Sequence, residues 1–287
     1  MAKRETRVSS VIVTGASSGI GLACVRELHS NSYEVIAGVR STESCEKMRT
    51  LFGSKVWTFS VDVTCEQSIF AAYKVVTEKL ADIPGPFGVI NSIGASLVKP
   101  VELIRPSEFL GILQTNVLGP LAFTQKLFPL LRKRGGRIVY IGSTSSHIPS
   151  VLTGAYSASK AALESIVATQ RLELDRSGIQ VTTVEPGVVA TPFWLKSREQ
   201  EQVLEIELAE FGIRRYEELL QRRMQTPFTA DDKGISASTT ARIVRKALET
   251  SRLKKRYIVG SDAHLKLLVH RLLPGSLFEK LQLTRYR

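Results

Sequence analysis

Val11-Ile12-Val13-Thr14-Gly15-Ala16-Ser17-Ser18-Gly19-Ile20-Gly21 is the stretch that decides the fold. It opens as a short apolar run, and from 19 to 30 the apolar positions recur at helical spacing. A strand that passes into a helix through a glycine-rich turn suits a dinucleotide. The glycines allow a sharp turn and close approach to a pyrophosphate, and the helix N-terminus offers free N–H groups and a positive dipole end.

Outward from that turn the same alternation recurs. Strand-like runs fall at 35–39, 56–61, 89–91, 138–141, 181–185 and 257–259, with helical patterns between them, among them 66–81, 107–133 and 156–177. Continuous Val/Ile runs separated by helix-length segments read as parallel strands buried on both faces. Right-handed crossovers then give a doubly wound, seven-stranded parallel α/β sheet of Rossmann type, one domain over residues 1–287. Two segments stand outside the alternation. Residues 193–228 are expected to form a substrate lid, and 261–287 a C-terminal basic extension.

With 43% apolar and 23% charged residues, the 287-residue chain has the composition of a soluble globular protein. Disorder, collagen and a membrane bundle are excluded. The three cysteines, Cys24, Cys45 and Cys65, show no ligand spacing and there are four histidines, so no metal site is expected. Residues 1–8 are charged without an apolar signal core, and no apolar run approaches the ~18 residues of a membrane span. A cytoplasmic location follows as the expectation.

The net charge is +12, and more than half of it lies after residue 250, where nine Lys or Arg face only Asp262 and Glu279. No nucleic-acid motif accompanies that charge, so nucleic acid is not an expected partner. Residues 264–273 mix apolar and basic side chains at helical spacing. They read either as a peripheral helix on an anionic membrane or as a helix packed on the domain.

Two questions attach to the glycine loop. Its residues also spell Gly-x-Ser-x-Gly, with Ser17 where a hydrolase elbow holds its nucleophile. An elbow needs several strands before it and an acid and a histidine after it, whereas this one follows the first strand. His29, His147, His264 and His270 have no acid partner evident in sequence, and the hydrolase is set aside. The second question is cofactor choice. The second strand ends without an acid but with Arg40, 19 residues past Gly21, where an arginine accommodates a ribose 2′-phosphate. NADP(H) is expected over NAD(H).

Tyr156 and Lys160 stand four apart on one helical face. Ser143 ends the fifth strand, Asn116 lies in the preceding long helix, and Pro186-Gly187 leads to Val189 and Thr191 after the sixth strand. In that order and spacing the chain resembles the short-chain dehydrogenase/reductase family from Val8 to Val259, most closely its 17β-hydroxysteroid and retinol dehydrogenase branch. One motif departs from the family's Asn-Asn-Ala-Gly: here it reads Asn91-Ser92-Ile93-Gly94.

The resemblance implies a catalytic set of Asn116, Ser143, Tyr156 and Lys160. Tyr156 would exchange the proton, its pKa lowered by a nearby cation. Lys160 would supply that charge and bond the nicotinamide ribose, Ser143 would polarise the substrate oxygen, and Asn116 would hold a water feeding protons through Lys160. The cofactor would lie on Gly15, Ser17, Ser18, Gly19, Ile20 and Gly21, on Arg40, on Asp62 and Val63 at the adenine, and on Asn91, Ile93 and Gly94. Pro186, Gly187, Val189 and Thr191 would complete the site with Tyr156 and Lys160. Thr191 reads either as a carboxamide partner or as a helix N-cap, and His147 as a loop residue or a substrate contact.

Ile148 and Val151 on one side, Phe193 and Trp194 on the other, would join Ser143 and Tyr156 around an apolar substrate. The expected activity is an NADP(H)-dependent oxidoreductase interconverting a carbonyl and an alcohol on a steroid, retinoid or lipid-like molecule, running as a reductase. The alternatives are a 3-oxoacyl thioester reductase and a dinucleotide-binding scaffold without turnover. The resemblance also implies a homodimer or homotetramer built on the 107–133 and 156–177 helices.

Overall fold

The computed structural model describes residues 8–225 and 234–284. Successive side chains of a strand point to opposite faces, and here both faces are apolar. Val11 and Val13 of β1 (Ser10–Thr14) enter one core while Ile12 enters the other. In β2 (Glu34–Val39), Val35, Ala37 and Val39 go to the first core and Ile36 to the second. A strand with two apolar faces is stable only between two helical layers, which is why it lies inside a parallel sheet.

The remaining strands are β3 (Val56–Ser60), β4 (Phe87–Asn91), β5 (Gly136–Ile141), β6 (Ile179–Pro186) and β9 (Arg256–Val259). The seven run parallel in the order β3-β2-β1-β4-β5-β6-β9. The expected doubly wound sheet is therefore the observed one. Its order reverses between β1 and β4, so a crevice opens at their C-terminal ends. Helices α1 (Gly19–Ser30), α2 (Thr42–Phe52) and α9 (Ala237–Glu249) cover the first core. Helices α3 (Glu66–Ala81), α5 (Gly119–Arg134) and α6 (Gly154–Glu173) cover the second.

The helix expected over 107–133 is interrupted. It forms α4 (Pro106–Leu113), a π-helical turn (Gln114–Leu118) and then α5. Two residues account for the break. Pro120 has no N–H to give the carbonyl of Asn116, and a Cβ on Gly119 would stand 2.6 Å from the Val63 carbonyl oxygen. A π-turn of this kind marks a place where side-chain demands override the α ladder.

After β6 the chain leaves the sheet. It runs through β7 (Val189–Ala190), α7 (Pro192–Phe211) and α8 (Arg214–Gln225), and returns at β8 (Ile235–Ser236). Residues β7 and β8 pair with each other in a separate two-stranded ladder. The excursion has its own small core of Val98, Leu152, Leu204, Leu208 and Leu220. Beyond β9, α10 (Ser261–Leu272) and α11 (Gly275–Thr284) close the described chain. The last three residues of the expected lid, 226–228, and of the basic extension, 285–287, lie outside the described residues.

Candidate active site

The first βα turn is shaped by contacts that only glycine permits. Gly15 (φ +70°) and Gly19 (φ +54°) occupy the left-handed region. A Cβ on Gly15 would sit 3.0 Å from the backbone of Ser92 and Ile93, and one on Gly21 only 2.1 Å from the Gly15 carbonyl oxygen. The loop thus folds flat between α1 and the strand end of β4. Ala16 N–H donates to the Gly38 carbonyl at 3.1 Å. What remains is a concave run of backbone, Gly15 to Gly21, at the N-terminus of α1, with Ser17 and Ser18 exposed to solvent. The residues present fit a dinucleotide pyrophosphate.

Around that loop, Arg40 is exposed one residue past β2. Asp62 follows β3, where its Oδ1 accepts from Thr64 N at 2.9 Å and Thr64 Oγ1 at 2.7 Å. The two Thr64 bonds, with the Arg40 charge adding to them, hold the Asp62 carboxyl below its usual range. Val63 is buried against Gly119. Thr191 borders Gly19: a Cβ there would meet Thr191 Cβ and Cγ2 at 3.4 Å. Thr191 stands at the N-cap position of α7 without capping it, and its hydroxyl donates instead to the Val189 carbonyl at 3.3 Å. Gly187 N–H donates to the Val259 carbonyl at 2.9 Å, which seats the loop after β6 against β9.

Tyr156, Ser143, Lys160 and Asn116 meet where β4, β5 and α6 converge. Ser143 stands near enough to the Tyr156 phenol to draw its pKa down, and its Oγ accepts from Ser145 N–H at 3.1 Å. Lys160 is buried, and its Nζ donates to the Ile141 carbonyl at 2.9 Å. It lies 5.9 Å from the Tyr156 ring centre. Gly94 stands between the two amine and amide groups: a Cβ there would be 3.7 Å from Lys160 Nζ and 3.9 Å from Asn116 Oδ1.

The electrostatics differ from the sequence expectation in one respect. Burial pushes the Tyr156 phenol above its ordinary value, and Ser143 only partly offsets it. Lys160 does not enter that balance, because its ammonium is turned to the Ile141 carbonyl. Burial draws Lys160 itself down to about 8.

Asn116 is fully buried. Its Oδ1 accepts from Ala95 N–H at 2.7 Å, and its Nδ2 donates to the Ala95 carbonyl and Ser159 Oγ, each at 2.9 Å. Its side chain is thus spent on holding the turn after β4. The Asn116 carbonyl, which Pro120 cannot serve, is the atom free of that duty.

Some expected contacts are corrected. Ile148 is 2% exposed and packs with Leu267 and Phe278 under the C-terminal helices, so it does not line a substrate cleft. Val151 leans on the core of the α7–α8 excursion. Asn91 points inward: its Nδ2 donates to Thr124 Oγ1 at 3.0 Å and its Oδ1 accepts from Thr14 Oγ1 at 3.4 Å. Any cofactor contact at Asn91 falls to its backbone. His147 does have an acid partner, which sequence did not reveal: its Nε2 lies 3.1 Å from Glu185 Oε2.

The Phe193 ring lies 5.6 Å from that of Tyr156, with Trp194 edge-on to Phe193 at 5.8 Å. The first turns of α7 are moored to the loop after β4. Ser197 Oγ lies 3.0 Å from Ser96 Oγ, Gln200 Nε2 donates to the Ser96 carbonyl at 3.0 Å, and Val98 N–H donates to Gln200 Oε1 at 3.1 Å. Buried Glu201 then pairs with Arg223 of α8 at 2.7 Å. Sequence reasoning missed Ser96, Gln200 and Glu185. Of these only Glu185 carried a signal, as a carboxylate inside a strand otherwise buried on both faces.

Residues 9–202 match the family model described as short chain dehydrogenase. The chain is 31% identical to a 3-amino-tetrahydro-pyrrolizinone reductase of Xenorhabdus hominickii, covering 88% of this chain and 87% of that one. It is 29% identical to retinol dehydrogenase 7 of Rattus norvegicus over 94% and 88% of the two chains. It is 36% identical to estradiol 17-beta-dehydrogenase 2 of Mus musculus, over 62% of this chain and 47% of the mouse protein. A solved short chain dehydrogenase from Burkholderia cenocepacia, in complex with NADP, superposes with a TM-score of 0.73 at 22% identity, covering 96% and 98% of the two chains.

Proposed function

The chain belongs to the short-chain dehydrogenase family, with relatives among the retinol and steroid dehydrogenases, and from that premise we propose an NADP(H)-dependent oxidoreductase that interconverts a carbonyl and an alcohol on an apolar substrate. The observation that carries the reading is the Tyr156 phenol set beside Ser143 and buried Lys160, next to a glycine loop shaped for a dinucleotide. A bound nicotinamide would supply or accept the hydride.

The chain's own residues manage the oxygen and its proton. Ser143 Oγ holds the substrate oxygen in reach of Tyr156 Oη. The phenol stays protonated in its buried setting, ready to give a proton to an alkoxide forming at that oxygen. Lys160 holds a cation behind the phenol, and a water on the Asn116 carbonyl is the route by which the proton is replaced. Phe193 and Trp194 give the substrate side an aromatic wall, which favours a retinoid or steroid over a polar acyl thioester. The α7–α8 excursion acts as the lid.

Arg40 is the residue on which cofactor choice rests. Its exposed guanidinium stands at the end of β2, within reach of the Asp62 charge but in no salt bridge among the described residues, where a 2′-phosphate would lie. In an NADPH titration followed by cofactor fluorescence, Arg40→Ala is expected to weaken NADPH by roughly 10- to 100-fold, as one charge-assisted pair is worth about 1.5–3 kcal/mol. NADH affinity should barely move. Equal losses for both cofactors would remove the NADP assignment, and no binding of either by the parent chain would leave the scaffold reading in front.

Two partner readings accompany this. A groove between α5 and α6, where Leu121, Phe128 and Ile166 stand among Gln125, Arg132 and Glu173, supports assembly as a dimer or tetramer. The second reading is peripheral membrane contact. No helix among the described residues is long and apolar enough to cross a membrane. Yet α10 buries Ala263 and Leu267 while exposing Leu265, Leu268 and Leu272 on the opposite side. Leu277 and Leu281 of α11 are likewise exposed, with Arg271 and Lys280 alongside. Such a face suits an anionic bilayer, with one side of each helix still packed on the domain. Flotation with phosphatidylserine vesicles should lose several-fold in bound protein on Leu265→Asp/Leu268→Asp. Equal flotation of parent and variant would end the membrane reading.

A further inference from the structure

Glu185 is fully buried near the end of β6, next to its last residue, Pro186. Its Oε1 accepts from Thr183 Oγ1 at 3.2 Å. Its Oε2 lies 3.1 Å from His147 Nε2 and 3.9 Å from Arg256 Nη1, and those two groups stand 2.9 Å apart. Across from them on α6, Glu164 has its carboxyl pushed up by burial and by the Glu185 charge. A buried carboxylate with a second carboxylate close by is costly, and it persists only where its partners are held in place. None of this cluster takes part in the proton chemistry derived above.

Its second end lies in the active site. His147 closes the short 3-10 turn Thr144–Ser146, donating its backbone N–H to the Thr144 carbonyl at 3.1 Å. That turn begins at Ser143, and Ser146 Oγ donates to the Ser143 carbonyl at 2.6 Å. On the near side, Gly142 N–H donates to the Val184 carbonyl at 2.8 Å, and the space where Gly142 lacks a side chain is filled by Glu185, whose Cγ would be 3.1 Å from a Cβ there. One carboxylate therefore grips the serine turn at both ends: by packing just before Ser143, and, with the imidazole proton on Nε2, by a hydrogen bond from His147 just after the turn. Arg256 of β9 stands 3.9 Å from the same carboxylate.

We propose that Glu185 and His147 are positioning residues, a strut that fixes Ser143 Oγ against the Tyr156 phenol and ties it to the loop running from Pro186 to Thr191. The proposal rests on the oxidoreductase reading for its consequence and on the geometry alone for its mechanics. A hydroxyl that must stand within hydrogen-bond reach of a reacting oxygen loses its value when its turn drifts by an ångström. His147, whose side chain is 25% exposed, can be cut back with little loss to the core. Gln at the same position keeps a side-chain amide that can donate to Glu185.

The test compares the parent, His147→Ala, His147→Gln and Glu185→Gln as full-length chains. Hydrogen exchange is read on peptides covering 142–152, and turnover is read with NADPH and all-trans-retinal as the probe. In His147→Ala, exchange over 142–152 should rise several-fold while the sheet peptides stay unchanged. Its kcat should fall roughly 10- to 100-fold, with NADPH affinity within about two-fold of the parent. His147→Gln should recover most of both losses, and Glu185→Gln should fall between the two.

Unchanged exchange over 142–152 in a folded His147→Ala chain overturns the strut, whatever the substrate. Faster exchange with an unchanged kcat overturns the positioning role. If the parent itself does not reduce retinal, that counts against the retinoid substrate, and the exchange result alone decides the strut.

Discussion

Tyr156→Phe is expected to abolish turnover, with kcat lower by at least the roughly 10²–10⁴-fold that a positioned proton donor supplies. The expectation is strong because the change removes one oxygen and little else. The ring is held by its contact with Phe193 at 5.6 Å and by α6 beneath it, so a phenylalanine keeps that packing. The lost atom is the phenol oxygen beside Ser143, and the neighbouring ammonium of Lys160 is turned toward the Ile141 carbonyl rather than toward that point. NADPH affinity should therefore stay within about two-fold, since the glycine loop and Arg40 are untouched. Fluorescence titration with parallel single-turnover assays separates the two quantities. A variant that still turns over would place the proton chemistry elsewhere.

The second large effect falls on the cofactor loop. Gly21→Ala puts a methyl 2.1 Å from the Gly15 carbonyl oxygen and 2.8 Å from its carbonyl carbon, well inside contact distance and against backbone that no side-chain rotation can clear. Either the turn opens or the first turn of α1 tilts. Both disturb the concave backbone that would receive a pyrophosphate. Overpacking of this order costs about 1–3 kcal/mol. That corresponds to a melting temperature lower by roughly 5–10 °C and to NADPH affinity lower by on the order of 100-fold if the strain falls on the bound form. Gly19→Ala makes a useful contrast, because its Cβ would meet only Thr191 at an ordinary 3.4 Å and the strain there is that of a φ of +54°. Thermal melts and fluorescence titration read both variants. Parent-like binding by Gly21→Ala would mean the loop is not the pyrophosphate cradle.

The sheet could be read in the sequence because each strand's apolar run carries both of its faces. The bounds of α3, 66–81, emerge residue for residue from its periodicity, and the strands differ from expectation by at most two residues at either end. Periodicity says which side of an element is apolar but not what that side will meet. Ile148 illustrates this: an apolar side chain near Ser143 reads as a substrate wall, yet α10 and α11 claim it. The helix over 107–133 looks continuous as a pattern, and only the joint demands of Pro120, Gly119 and the Asn116–Ala95 pair break it into a π-turn. His147 and Glu185 are 38 positions apart, and no local rule joins them. The tyrosine and lysine were legible for the opposite reason, since four residues on one helix fix their own geometry. What remained hidden was the direction of the phenol's shift, which depends on burial supplied by the whole fold.

The small β7–β8 ladder has a bearing on how this chain can change over time. Val189 pairs with Ile235 and Ala190 with Ser236, and Ile235 N–H donates to the Val188 carbonyl at 2.8 Å. The departure and return points of the α7–α8 excursion are thereby buttoned together, independent of what lies between them. Closing a longer or shorter loop across fixed ends alters stability only slowly with length. Substitutions and length changes in the excursion can then accumulate without reaching the sheet, the glycine loop or the tyrosine. The first turns of α7, moored through Ser197 and Gln200, are the part bound to the chemistry. A descendant gene could retune which molecules are admitted by redrafting that one segment, while inheriting its reaction intact.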